Sequence, residues 1–227
     1  MGLDNWRRIP ARAVDKWILS VDLGQSTDPS AICVLQHRVI PTSPEKWIPD
    51  HKTCISRQER SEHFDVRHLE RLPLGMSYPE QVQRVAMVLA RPPLNTTGCK
   101  LVIDETGVGR AVGDIFDAAG LYPKRITITA GQEATQQSGS RWHVAKGILI
   151  SGVDARLHTG ELRIAEALSD AGALQEELKD FQRKVSDAGR ATYNARVGAH
   201  DDLVLAVAIS LWFATNMPTL IREELFL

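Results

Sequence analysis

The segment HDDLVLAVAISLWFA, residues 200–214, is apolar on every side after its first turn. A helix of that composition has no face to offer water, so the rest of the chain must enclose it. Yet its first turn carries two adjacent acids, Asp201 and Asp202. Two further acids border apolar runs in the same way: Asp22 ends WILSVD and Asp104 ends KLVID. A carboxylate beside a hydrophobic run is costly, because desolvation disfavours its charged form unless a cation or hydrogen bonds compensate. Three such sites, far apart in the chain, suggest one shared metal cluster.

A chain of 227 residues, 43% hydrophobic and 24% charged, suits one sizeable core. A single α/β domain over 1–227 is expected, with 1–15 and 217–227 as tails. The formal net charge of -1 provides no global positive field, so a polyanion would have to meet a local patch. Cys33, Cys54 and Cys99 are odd in number, widely separated and without a CxxC pair, which argues against a disulfide framework or a zinc knuckle. A reducing cytoplasm is the natural compartment. The N-terminus lacks the apolar stretch of a signal peptide, and no run reaches the roughly 18 apolar residues of a membrane span. The chain reads as soluble and intracellular.

WILSVDL and SAICVLQH read as strands joined by the turn-forming GQSTDPS, hence as a hairpin. Residues 37–50, with Pro41, Pro44 and Pro49, read as a surface loop, and KTCIS and HFDVRHLERL as further antiparallel strands. YPEQVQRVAMVLA places Val82, Val85, Ala86 and Leu89 at helical spacing, with Ser77 as cap and Pro92-Pro93 beyond its end. KLVIDE suits a buried central strand, AVGDIFDAAG a helix ending at Gly120, and KRITIT another strand. That order implies a parallel crossover. The polar GQEATQQSGSRW is expected to be mobile. HVAKGILISGVDARLHTG predicts a helix with Val144, Ile148 and Leu149 inward, ELRI a short edge strand, and ALQEELKDFQRK a helix fraying into a strand. RKVSDAGRATYNARV, turning at Asp187-Ala188-Gly189, predicts a protruding hairpin near the last helix.

Side chains alternate across a strand, so Asp104 and Glu105 point to opposite faces and only one can join Asp22. Asp104 is favoured, with Glu105 an auxiliary candidate. Asp201 and Asp202 lie about 100° apart on the helix, and either can contribute from the first turn, where the helix dipole helps keep an acid ionised. Each acid also has a plain structural reading. Asp201 suits an N-cap and Asp202 a first-turn charge, while Asp22 and Asp104 suit turns. Their combination points further. Hard oxygen ligands at two strand ends and a helix start suit Mg²⁺ or Mn²⁺ rather than zinc. Two such ions about 4 Å apart activate a water and stabilise the leaving oxygen of an in-line phosphodiester displacement.

VDLGQSTDPSAICVL, RHLERLPLGMSYPEQV, VIDETGVG, HVAKGILISGVDARLHTGELRI and GAHDDLVLAVAISLWFA together resemble, in order and over nearly the whole chain, the nuclease domain of tailed-bacteriophage large terminase subunits. The resemblance implies a ribonuclease H-like α/β fold, a central mixed sheet flanked by helices, as in Holliday-junction resolvases and retroviral integrases. It implies a metal-dependent endonuclease that cuts concatemeric double-stranded viral DNA during genome packaging, in the cytoplasm of the bacterial host. Asp22 and Asp104 would be strand-borne metal ligands, and Asp202, with Asp201, the helix-borne ones. A packaging ATPase domain, a small terminase subunit and a portal would be the partners. No GxxxxGK[ST] loop occurs, so the expected entity is an isolated or truncated nuclease domain that neither hydrolyses ATP nor translocates DNA.

Local cations must supply the phosphate contacts. Candidates are Arg183, Lys184, Arg190 and Arg196 around the expected hairpin, with Arg141 and Lys146. Terminase-like sequences often open this helix with a lysine, which singles out Lys146 as a phosphate ligand beside the metals. His200 is a candidate peripheral ligand or proton shuttle and equally suits a helix-flanking structural role, and His143 and Asp28 are in a similar position; Ser26 and Asp28 suit shaping of the turn. Two other classes compete. DLGQST and DETGVG are similar to the phosphate-binding turns of actin-like ATPases and sugar kinases, though such kinases have two lobes and a final helix not opened by paired acids. Alternatively, the chain is a non-catalytic DNA- or portal-binding module.

Overall fold

The computed structural model describes residues 6–24, 28–107, 110–137, 139–185 and 200–216, and for 180–185 the backbone alone. The elements run β1 (Arg7–Ile9), β2 (Val14–Asp22), β3 (Ala31–Pro41), β4 (Trp47–Asp50), β5 (Ile55–Gln58) and β6 (Arg60–Arg71), then helices α1 (Tyr78–Leu89) and α2 (Leu94–Thr97). They continue with β7 (Cys99–Asp104), α3 (Arg110–Ala118), β8 (Lys124–Thr129), β9 (Ala134–Gln136), β10 (Arg141–Ala145), α4 (Lys146–His158), β11 (Leu162–Ile164), α5 (Ala171–Val185) and α6 (Asp202–Asn216). Eight strands form one mixed sheet in the order β11-β6-β3-β2-β7-β8-β10-β9, and β1-β5-β4 form a second, small one. In the large sheet β2, β7, β8 and β10 are successive parallel neighbours, while β3 is antiparallel to both β2 and β6.

Alternation along β2 and β7 divides the interior into two cores. Ile18 and Val102 enter the core that holds α4, α5 and α6; Leu19, Val21, Leu101 and Ile103 enter the one that holds α1, α2 and α3. α6 is buried at every residue from Asp202 to Ala214, as its all-round apolar sequence requires. Ser20 ties it to the sheet, its hydroxyl donating to the Ala206 carbonyl at 2.6 Å. Asp22, two residues beyond Ser20, therefore shares the α6 face. On the opposite layer α1 buries Val82, Val85 and Val88, and its start is held by Glu80, which accepts from the Ser77 N–H and hydroxyl at 2.9 and 2.6 Å. Full burial of each such apolar side chain contributes about 1.5–3 kcal/mol.

Several expectations need correction. Residues 37–50 are not one loop, because β3 runs on to Pro41 and β4 covers Trp47–Asp50. Pro41 ends its strand, and Pro49 sits in β4 at the edge of the small sheet, where a missing N–H donor is tolerated. Residues 1–15 are not simply a tail, since Arg7–Ile9 pair with β5 and β2 begins at Val14. KTCIS becomes a strand only from Ile55, after Cys54 with φ of 54°. GQEATQQSGSRW contains β9, paired antiparallel to β10. Val144 belongs to β10 rather than to the following helix, while Leu149 is buried as expected, joined by Ile150 and Val153, and Ile148 packs partly buried against the same core. α5 stays helical to Val185 rather than fraying into a strand. The hairpin expected around 187–189 and the tail 217–227 lie outside the described residues.

Candidate active site

Asp22 is the last residue of β2 and Asp104 the last of β7. These strands are parallel neighbours with Val21 opposite Ile103, so the two carboxylates leave the same end of the sheet on the same face. α6 crosses that face and brings Asp201 and Asp202 from its N-terminus. All four acids line one open cleft of about 1320 Å³, together with Gly24, Asp28, Thr106, Lys146, Ser151 and His200.

The Asp104 carboxylate accepts the Thr106 N–H at 2.8 Å and the Thr106 hydroxyl, while that hydroxyl oxygen accepts the Ile128 N–H at 2.6 Å. Thr106 thus pins the end of β7 to β8. Burial raises Asp104 to about 6 even against these hydrogen bonds. Asp22 is driven well above the usual carboxylate range, first by burial and then by the charges of Asp104, Asp201 and Asp202, with Lys146 opposing. Lys146 opens α4 and donates to Asp201 Oδ2 at 2.5 Å. Asp202 Oδ2 accepts from Arg71 Nε at 2.8 Å, and its Oδ1 is buried with no hydrogen-bond partner.

The N-cap reading of Asp201 is half realised. Its carbonyl accepts the Leu205 N–H at 2.9 Å, but its carboxylate turns to Lys146. The buried first-turn amide of Val204 donates instead to Glu177 Oε2 at 3.0 Å, from α5. Glu177 also accepts from Arg71, and burial pushes its carboxyl up to about 8 against the Val204 hydrogen bond. Neither Arg71 nor Glu177 carries a local sequence signal, since their partners lie 131, 106 and 27 positions away.

Glu105 faces the other side of the sheet, where it meets Arg125 at 3.0 Å. Arg141 turns toward the same Glu105, at 3.5 Å, and neither it nor His143 lines the cleft. His200 and Asp28 do line it and are exposed. The side chains of Arg183 and Lys184, and all of Ser26, Arg190 and Arg196, lie outside the described residues. With the side chains as they stand, no three acids, histidines or cysteines among the described residues are grouped to hold a metal ion. The donor chemistry nevertheless fits a hard divalent cation, with oxygen ligands alone, an orphan buried Oδ1 and carboxylates that repel one another.

The fold is similar to that of the large terminase nuclease from the thermophilic phage G20c, with a TM-score of 0.53 and 18% identity over 94% of this chain and 95% of that one. The human cytomegalovirus terminase nuclease domain aligns with a TM-score of 0.47 and 10% identity, over 89% and 85% of the respective chains. No family model and no curated protein matches the chain. The expected architecture is borne out: a ribonuclease H-like mixed sheet flanked by helices. No helix among the described residues is long and apolar enough to cross a membrane.

Proposed function

From a chain with the fold of a large-terminase nuclease, we propose a divalent-metal-dependent endonuclease that cuts concatemeric double-stranded DNA during viral genome packaging. The observation that carries this reading is the convergence of Asp22, Asp104, Asp201 and Asp202 in one open cleft from two strand ends and a helix start. In this reading the whole chain, 1–227, is one nuclease domain. A packaging ATPase, a small terminase subunit and a portal in the host cytoplasm are its setting.

Asp22, Asp104 and Asp202 would hold Mg²⁺ or Mn²⁺, two ions when DNA is bound. Bound there, such ions supply an activated water and stabilise the leaving oxygen of the phosphodiester. The chain's own residues do the positioning. Thr106 fixes the Asp104 carboxylate through two donors, and α6 presents Asp202 with one oxygen uncommitted. Lys146, tied to Asp201 at the same cleft, would exchange that partner for a DNA phosphate oxygen, with Asp201 then turning to the metals. Arg183, Lys184, Arg190 and Arg196 are kept as further phosphate contacts. His200, exposed at the cleft, is a candidate for peripheral proton transfer.

The test is plasmid cleavage with Mg²⁺ or Mn²⁺, with EDTA as the control. Nicking and linearisation with little sequence preference are expected. Asp22→Asn, Asp104→Asn and Asp202→Asn should each abolish cutting while circular dichroism stays unchanged. Cutting by all three variants would remove these acids from the site, and binding of an ATP analogue in calorimetry would favour a kinase-like activity instead.

A further inference from the structure

Arg71 ends β6 and reaches the first turn of α6 across a separation of 131 residues. Its backbone N–H donates to Asp170 Oδ2 at 3.0 Å, which fixes the end of the strand. Its guanidinium then forks, with Nε donating to Asp202 Oδ2 at 2.8 Å and Nη2 donating to Glu177 Oε1. Glu177 is itself held by a second bond, from the Val204 N–H to Oε2 at 3.0 Å. Glu177 and Asp202 are 7% and 5% exposed, so little water competes for these contacts. The result is a closed link from β6 through α5 to the start of α6, and it engages one oxygen of Asp202 and leaves the other bare.

We propose that Arg71, braced by Glu177, is a positioning residue that presents Asp202 Oδ1 to the divalent cation. This rests on the nuclease reading above. Carboxylate ligands of metals are commonly oriented by such outer partners, whose loss costs about 10–100-fold in affinity or activity. A lysine would keep the charge of Arg71 but not its planar fork, and so cannot serve Asp202 and Glu177 in the same geometry.

Mn²⁺ titration by calorimetry without DNA, beside single-turnover plasmid cleavage at saturating Mn²⁺, tests this on the full chain. Arg71→Lys should weaken Mn²⁺ binding and slow cleavage, each about tenfold or more. Glu177→Gln keeps only one of its two bonds correctly polarised and should act in the same direction, less strongly. In an Asp202→Asn background, Arg71→Lys should change the residual Mn²⁺ affinity no further. Thermal unfolding verifies that the variants fold, and Glu177→Gln carries the test if Arg71→Lys does not. Wild-type binding and cutting by Arg71→Lys, or an equal loss of affinity in the Asp202→Asn background, overturns the positioning role alone. A wild-type chain that neither binds Mn²⁺ nor cuts overturns the nuclease reading, and this role with it.

Discussion

Asp104 and Glu105 are neighbours in the chain and end in opposite electrostatic conditions. Glu105, 8% exposed, faces the α3 side, where Arg125 meets it at 3.0 Å and spends its other nitrogen on Asp117. That site is closed: a buried charge is matched by a fork of donors and shielded from water. Asp104, 4% exposed, faces the α6 side with Asp22, Asp201 and Asp202. Its near partners are the neutral N–H and hydroxyl of Thr106, while Lys146 and Arg71 are engaged by Asp201 and Asp202. Strand alternation alone separates the two acids. On one face negative charge is consumed by the fold; on the other it is left over, and left-over buried charge is what a cation can use.

The sharpest break of this comparison is to neutralise each acid in turn. Asp104→Asn should lower cleavage by at least about 10³-fold, as loss of several kcal/mol of metal-borne stabilisation implies, without destabilising the metal-free fold. Glu105→Gln should do the reverse. It leaves Arg125 buried with only part of its partners and should cost about 3 kcal/mol of unfolding stability, near the low end for a broken buried pair because Asp117 remains. Cleavage per folded molecule should survive. Equal loss of cleavage in both variants would mean that the two faces are not functionally distinct.

A glycine marks each side and gives the next largest effect. A Cβ at Gly24 would lie 2.1 Å from the Asp28 carbonyl oxygen and 2.4 Å from that of Pro29, both backbone atoms that cannot rotate away. Gly24→Ala should therefore displace the turn after Asp22 and reduce stability and cutting together. At Gly113 the added Cβ would meet the buried side chains of Glu105 and Arg125 at 2.4 and 2.5 Å. Gly113→Ala should cost about 1–3 kcal/mol in denaturant unfolding through overpacking, with cutting per folded molecule retained.

Much of this contrast is legible from residue order. The all-round apolar HDDLVLAVAISLWFA dictates an enclosed helix, and period-two alternation in KLVIDE assigns Asp104 and Glu105 to different faces. Polar pairing across the fold is not legible, because nothing near Arg71 in sequence indicates that Asp202 and Glu177 will be its partners. Edge strands are also hidden. β9 is exposed at every residue and is held by backbone pairing to β10, so its side chains carry no alternating pattern to read. The helix boundary at Lys146 is obscured because β10 runs directly into α4 without a turn residue between them.

The smallest effect is a pH slope. An unfolded aspartate titrates near 3.9, whereas Asp104 in the fold titrates at about 6 and Asp22 lies well above its ordinary range. The native state thus holds these protons more tightly than the unfolded chain does, so the contribution of Asp104 to stability is full below about pH 4 and is lost as pH rises through about 6, and that of Asp22 runs in the same direction. In EDTA the Tm of the wild type, taken relative to Asp104→Asn, should fall over that interval, and the same difference taken relative to Glu105→Gln should not isolate it. Saturating Mn²⁺ above pH 7 should restore the lost stability, because a cation that binds only the folded state adds RT ln(1 + [L]/Kd). A wild-type Tm that rises with pH relative to Asp104→Asn would mean that the cluster is already compensated within the chain, and the distinction between the closed face and the open one would fail.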